Sequence, residues 1–127
     1  MNFLLDTHAF LWFINGDAEL SKEARDIIEN SENTKFISIA TFWEIAIKIN
    51  IGKLQLDMPF QELEYHASIN GFRLLPITFR HTNKIINLPL HHKDPFDRII
   101  IAQASCDNLS IIGKDPYFQD YDVNMSW

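Results

Sequence analysis

Apolar positions along this chain follow two alternating rhythms. Short apolar runs, NFLLD at 2–6, KFIS at 35–38, FRLLPI at 72–77 and LSIIG at 109–113, read as buried strands. Between them, spacings of three and four residues predict helices. Ala9, Trp12 and Phe13 share one face up to a stop at Asn15-Gly16, and Ser21 caps a second helix running to about Asn30, with Ala24, Ile27, Ile28 and Ser31 together. Thr41 and Glu44 have the spacing of a capping box and open a helix carrying Ile45, Ile47, Lys48 and Ile51 to Gly52. A helix over 59–70 starts at Pro59 and stops at Gly71, and a short one follows at 78–87.

The loop LPLHHKDP then breaks the rhythm before Asp94-Pro95 opens a helix over 95–107. Asp115-Pro116 opens a further helical turn, and YDVNMSW reads as an edge strand. Strands alternating with helices specify an α/β fold of three layers, a parallel sheet of four to five strands with helices on both faces. Residues 1–127 carry no linker, repeat or low-complexity stretch and read as one module.

Composition narrows the class. With 127 residues, 46% of them hydrophobic and 22% charged, the chain has apolar surface for one core and too little charge to stay unfolded. Cys106 is the only cysteine, so no internal disulfide forms and the cytoplasm is the expected compartment. Asp6 interrupts the first apolar run, no basic residue precedes it, and neither a signal peptide nor a membrane span is expected. A net charge of −6 argues against holding nucleic acid by bulk attraction, so a polyanionic partner needs local help, from bound cations or from a basic strip of side chains such as Lys48, Lys53, Arg80, Lys84, Lys93 and Arg98.

In a parallel α/β sheet all strand-to-helix turns share the carboxyl edge, where such folds bind ligands. The predicted turns put Asp6, Glu44, Asp97 and Asp115 there. Each alone has the ordinary explanation of an acid at a helix N-terminus, and Asp94, just before Pro95, is the best N-cap of all. Together they repel one another, and a hard divalent ion, Mg2+ or Mn2+, matches an all-oxygen donor set without cysteine. Such a site suits phosphodiester hydrolysis, and bound metal would let a negatively charged backbone approach.

LLDTHAFLW at 4–12, SIATFWEIAIK at 38–48, GKLQL at 52–56, LPLHHKDPFDRIIIAQA at 88–104 and IIGKDPYF at 111–118 resemble the PIN-domain proteins, specifically the VapC-like ribonuclease toxins of bacterial toxin–antitoxin pairs. The resemblance implies a metal-dependent endoribonuclease acting on RNA, held inactive by an antitoxin protein and often homodimeric. The family's four acids fall on Asp6, Glu44, Asp97 and Asp115. Asp6 and Asp97 would be the principal metal ligands, with Glu44 in support, Asp115 completing the pocket and Asp94 behind them. Many relatives carry Ser or Thr where this chain has Gly113, which implies a less firmly oriented Asp115.

Other polar residues near this edge have two readings. Thr7 and Ser38 orient a carboxylate or bond the local backbone. His8, His91 and His92 contact RNA or sit in a solvated loop, and His91, His92 and Asp94 form a poor zinc set. Arg98 reaches a phosphate or pairs with Asp94 at the surface. Trp12, Phe13 and Trp43 are core residues, with a groove for a partner helix as the alternative.

Three other functions compete with this one. A phosphatase that needs a second Asp two residues after the first is excluded by His8. A receiver domain would need a Lys after the last strand, for which Lys114 stands, but it gives Glu44 and DPFDR no work. A catalytically silent PIN fold acting as a protein-interaction module is the remaining alternative.

Overall fold

The computed structural model describes all residues from Met1 to Trp127. Its organising element is the first strand, β1 (Asn2–Leu5), in which Phe3, Leu4 and Leu5 are all buried. A strand sealed on both faces belongs inside a sheet with a layer on each side. β1 is flanked by β2 (Thr34–Ser38) and β4 (Ser110–Ile112), with β3 (Phe72–Leu75) and β5 (Met125–Ser126) at the edges. The strand order is β3-β2-β1-β4-β5, and every neighbouring pair is parallel.

Alternation of side chains along β1 divides the core in two. Phe3 and Leu5 join Ala9 and Phe10 of α1 (Thr7–Asn15), Ala24 and Ile28 of α2 (Lys22–Glu29), Ile45 of α3 (Ile39–Asn50), and Leu63 of α4 (Glu62–Ile69). Leu4 points the other way, into a cluster with Ile100, Ile101 and Ala104 of α6 (Pro95–Asp107) and with Phe118 and Tyr121. On that side α5 (Phe79–Ile86) is joined to α6 through His81 and Asp107, whose Nε2 and Oδ2 are 2.9 Å apart. The expected three-layer α/β architecture is thus the observed one.

The strand order locates the site. From β1 the chain moves outward through β2 and β3, then returns to place β4 on the other flank of β1. At such a reversal the turns after the two central strands diverge and leave a crevice at the carboxyl edge. Asp6 follows β1, and Asp115 follows β4 in front of a short 3-10 turn, Pro116–Asp120.

Several local expectations are corrected. α3 starts three residues before the predicted capping box: Ser38 is its N-cap, its Oγ accepting from the Ala40 amide at 3.0 Å, so Thr41 and Glu44 lie inside the helix. The capping box that does form is Thr78 with His81, where an imidazole does the work usually given to Glu or Gln. Pro59 begins a tight turn instead of the helix, with Glu62 and Leu63 amides bonded to Pro59 and Phe60 carbonyls, and α4 follows. β3 stops at Leu75 because Pro76 has no N–H to donate to the ladder. Trp43 is 58% exposed on α3 and packs edge-on against Phe96, whereas Trp12 and Phe13 do pack against the core.

Candidate active site

Asp6 is the N-cap of α1, its Oδ1 accepting from the Ala9 amide at 2.7 Å. The side chain is almost wholly buried at the head of β1. Thr7, the first helical residue, turns its hydroxyl across to α3 and donates to Glu44 Oε1 at 2.8 Å, with Thr41 Oγ1 3.3 Å away. Glu44 Oε2 pairs with Lys48 one turn further on, at 2.8 Å. Both Glu44 oxygens are therefore engaged. Lys48 was not anticipated as part of the site, although an acid and a base four residues apart on a helix are the ordinary signal for such a pair.

α6 delivers the third acid. Asp94 caps the helix, its Oδ1 accepting from the amides of Phe96 and Asp97 at 2.9 and 3.1 Å, and so fixes the backbone that carries Asp97. Asp97 Oδ2 lies 3.2 Å from His92 Nε2. The protonation of that imidazole follows from its other contacts. The Tyr121 hydroxyl oxygen accepts from Arg98 Nη1 at 2.9 Å and from the His92 amide at 3.3 Å, so its own proton goes to His92 Nδ1 at 2.9 Å. This leaves Nε2–H to donate to Asp97.

Asp115 is the N-cap of the 3-10 turn, with Oδ1 accepting from the Tyr117 amide at 2.9 Å. After these bonds Asp6, Asp97 and Asp115 each retain one carboxylate oxygen without a protein partner. None of the three is paired with Lys or Arg.

Electrostatics show that the four acids share one neighbourhood. The Asp6 carboxyl is pushed from 3.8 to about 7, chiefly by burial, against the Ala9 hydrogen bond, with further upward pressure from Asp97, Asp115 and Glu44. Asp97 rises to about 6, again chiefly through burial, with Asp94, Asp115 and Glu44 pushing the same way and His92 opposing. Asp6, Asp97 and Asp115, wholly or partly buried and without Lys or Arg against them, make a setting in which a bound divalent ion is stabilised.

The donors fit such an ion in kind. No three His, Cys, Asp or Glu side chains close around one point as a metal cage.

Gly113 makes room for Asp6: a Cβ at this position would stand 2.7 Å from Asp6 Cγ and closer still to Oδ2. The position expected to hold a hydroxyl that orients Asp115 is instead the space the Asp6 carboxylate fills.

Other expectations are revised. Ser38 caps α3 and makes no hydrogen bond to an acid. Arg98 neither pairs with Asp94 nor faces solvent: it is buried, donating to the Pro89 and Leu88 carbonyls and to Tyr121, and it anchors the 88–92 loop. His92 is no free loop residue, and with both ring nitrogens engaged it makes no zinc site with His91. Lys114 pairs with Glu19 at 2.8 Å and rests over Trp12 and Trp127, which removes the lysine a receiver would require.

A family model described as PIN domain matches residues 3–124. No curated protein matches the sequence. Among solved structures, VapBC2 from Rickettsia felis bound to a DNA fragment from their promoter has TM-score 0.72 and 15% identity, over 99% of this chain and 98% of that one. VapBC-1 from nontypeable Haemophilus influenzae has TM-score 0.70 and 14% identity, over 99% and 97%. A toxin–antitoxin complex from Klebsiella pneumoniae has TM-score 0.64 and 18% identity, over 98% and 95%. At these identities the likeness is one of fold.

Proposed function

The chain belongs to the PIN domain family, and from that premise we propose that it is an endoribonuclease that hydrolyses RNA phosphodiester bonds with Mg2+ or Mn2+ held by Asp6, Asp97 and Asp115. The observation that carries this reading is the state of Asp6: a buried carboxyl held at about 7 by its surroundings, beside three further acids, with no Lys or Arg against it. When bound, a divalent ion there supplies an activated water and offsets negative charge on the attacked phosphate.

The chain's own residues prepare that arrangement. Asp6, Asp97 and Asp115 present their unengaged oxygens from three different turns, so their relative placement is set by the sheet and not by one flexible loop. His92 holds Asp97 Oδ2 and leaves Oδ1 without a protein partner. Glu44, with one oxygen held by Thr7 and the other by Lys48, supports the site from α3.

The reading extends to partners. We place the protein as the toxin of a toxin–antitoxin pair, acting in the cytoplasm, homodimeric, and inhibited by a cognate antitoxin. An apolar groove of about 420 Å³ between α3 and α4, lined by Ile39, Phe42, Trp43, Ala46, Phe60 and Leu74 among others, supports capture of an apolar helix. No helix is long and apolar enough to cross a membrane.

The test is cleavage of RNA by purified protein in Mg2+ or Mn2+, in chelator, and by Asp97→Asn, with manganese binding followed by calorimetry. Metal-dependent cleavage that Asp97→Asn loses, together with weakened manganese binding, is expected. Full-rate cleavage in chelator would refute the proposal, and a folded protein that binds an antitoxin without cutting RNA would be a silent interaction module.

A further inference from the structure

Beside the acids lies a cleft of about 350 Å³, lined by His8, Trp12, Lys114 and Tyr117 together with Asp6 and Asp115. Its composition is unusual for an acidic edge, because flat rings bound it from two elements. From α1, His8 and Trp12 stand one helical turn apart with ring centroids 5.6 Å apart. From the 3-10 turn, Tyr117 stands 54% exposed. One face of the Tyr117 ring is covered by His92, nearly parallel at 5° with centroids 5.0 Å apart, and His92 is itself clamped by Tyr121 and Asp97. Tyr117 is thus a braced ring with its second face free. Lys114 is the only Lys or Arg in the lining, held by Glu19 and the Trp12 and Trp127 rings.

We infer that this cleft is a nucleobase subsite, in which one unpaired base of the RNA is received between the free face of Tyr117 and the His8–Trp12 pair. The inference rests on the ribonuclease reading and names its substrate class as single-stranded RNA. The required ligand is a flat, weakly polar ring joined to an anion. Rings offer stacking for the first part, while Lys114, and a divalent ion held by the acids, would meet the second. One bond ties the two together: the Tyr117 amide donates to Asp115 Oδ1 at 2.9 Å, so the stacking ring and the site carboxylate move as a unit. A base within a duplex is already stacked on its neighbours and cannot enter.

The test measures anisotropy of a labelled single-stranded oligoribonucleotide on Asp97→Asn protein, alone and combined with Tyr117→Ala, Tyr117→Phe or His8→Ala. Circular dichroism checks that each variant is folded. Loss of the stacking partner weakens binding about 10-fold in Tyr117→Ala and His8→Ala, while Tyr117→Phe retains it. Tyr65→Ala, an exposed ring on α4, changes nothing. Scanning the oligomer with abasic nucleotides shows one position with a similar loss, and that loss vanishes in Tyr117→Ala. Unchanged affinity in both alanine variants, or an abasic loss that adds in full to Tyr117→Ala, overturns the subsite. Metal-dependent cleavage with a flat abasic scan sinks the subsite and leaves the nuclease standing, whereas base-dependent binding without cleavage does the reverse.

Discussion

Gly113 and Asp6 face each other across the β1–β4 junction so closely that the carboxylate occupies the volume a Gly113 side chain would need. Neither neighbour yields readily: Gly113 extends the sheet, its amide donating to the Ser126 carbonyl at 3.2 Å, and the Asp6 amide donates to Ile112 at 3.0 Å. Gly113→Ala should therefore expel the Asp6 side chain from its seat. RNA cleavage is expected to fall at least ~10-fold, with a stability loss of about 1–3 kcal/mol from overpacking. Cleavage assays paired with thermal melts check this, and an alanine variant of full activity would show that Asp6 is not needed where it sits.

The raised acids predict an inverted pH dependence of stability without metal. A folded-state carboxyl raised from 3.8 to about 7 holds a proton that the unfolded chain releases. Its stabilising contribution is complete below about pH 4 and is lost as pH climbs through 7, an effect on the order of 4 kcal/mol for Asp6. Asp97, raised to about 6, acts in the same direction. In chelator the protein should melt higher at pH 5 than at pH 8, and Asp6→Asn should flatten the difference. Manganese should raise the melting temperature at pH 8 and hardly at pH 5. A chelated wild type no less stable at pH 8 than the Asn variant contradicts this account.

Thr7 makes a narrower case. Its hydroxyl is the donor to buried Glu44 Oε1, and Thr7→Val keeps the shape while removing the proton. Leaving that oxygen unpaired should cost about 1–3 kcal/mol. Thr7→Ser should recover most of it. If the valine variant melts with wild type, Glu44 has found another donor.

His81 tests the far end of α6. It is buried, accepts from the Thr78 amide through Nδ1, and meets Asp107 through Nε2. Asp107 and Asp97 lie ten residues apart on one helix, about 15 Å by its rise. His81→Ala should lower stability by about 1–3 kcal/mol through the lost cap and the lost bond to Asp107, which keeps its pair with Arg80. The rate of RNA cleavage by folded protein should stay unchanged.

Most of the architecture was legible because strand and helix differ in apolar period, and two of the site acids, Asp6 and Asp115, stand where a strand turns to a helical segment. Asp6, Asp94 and Asp115 were readable as caps, and each is one. Expectations failed where one residue type has two local uses. Thr41 and Glu44 fit a capping box in spacing, but Ser38 had already capped the helix, which released both for tertiary contacts. Arg98 and His92 sit in a polar stretch that looks solvated, and their burial depends on Tyr121, more than twenty residues away in the chain. Gly113 stood out only as a missing hydroxyl near Asp115, and its closeness to Asp6 could not be read, since its role is the absence of an atom in the space that Asp6 fills.

The position of β1 bears on the order of folding. Residues 2–5 form the middle of the sheet, and one of their two hydrogen-bonded flanks, β4, comes from residues 110–112, far along the chain. Non-local pairing of this kind closes late. Asp6 and Asp115 meet in that same closing step, so a molecule that has not yet docked β4 carries only half of the proposed site.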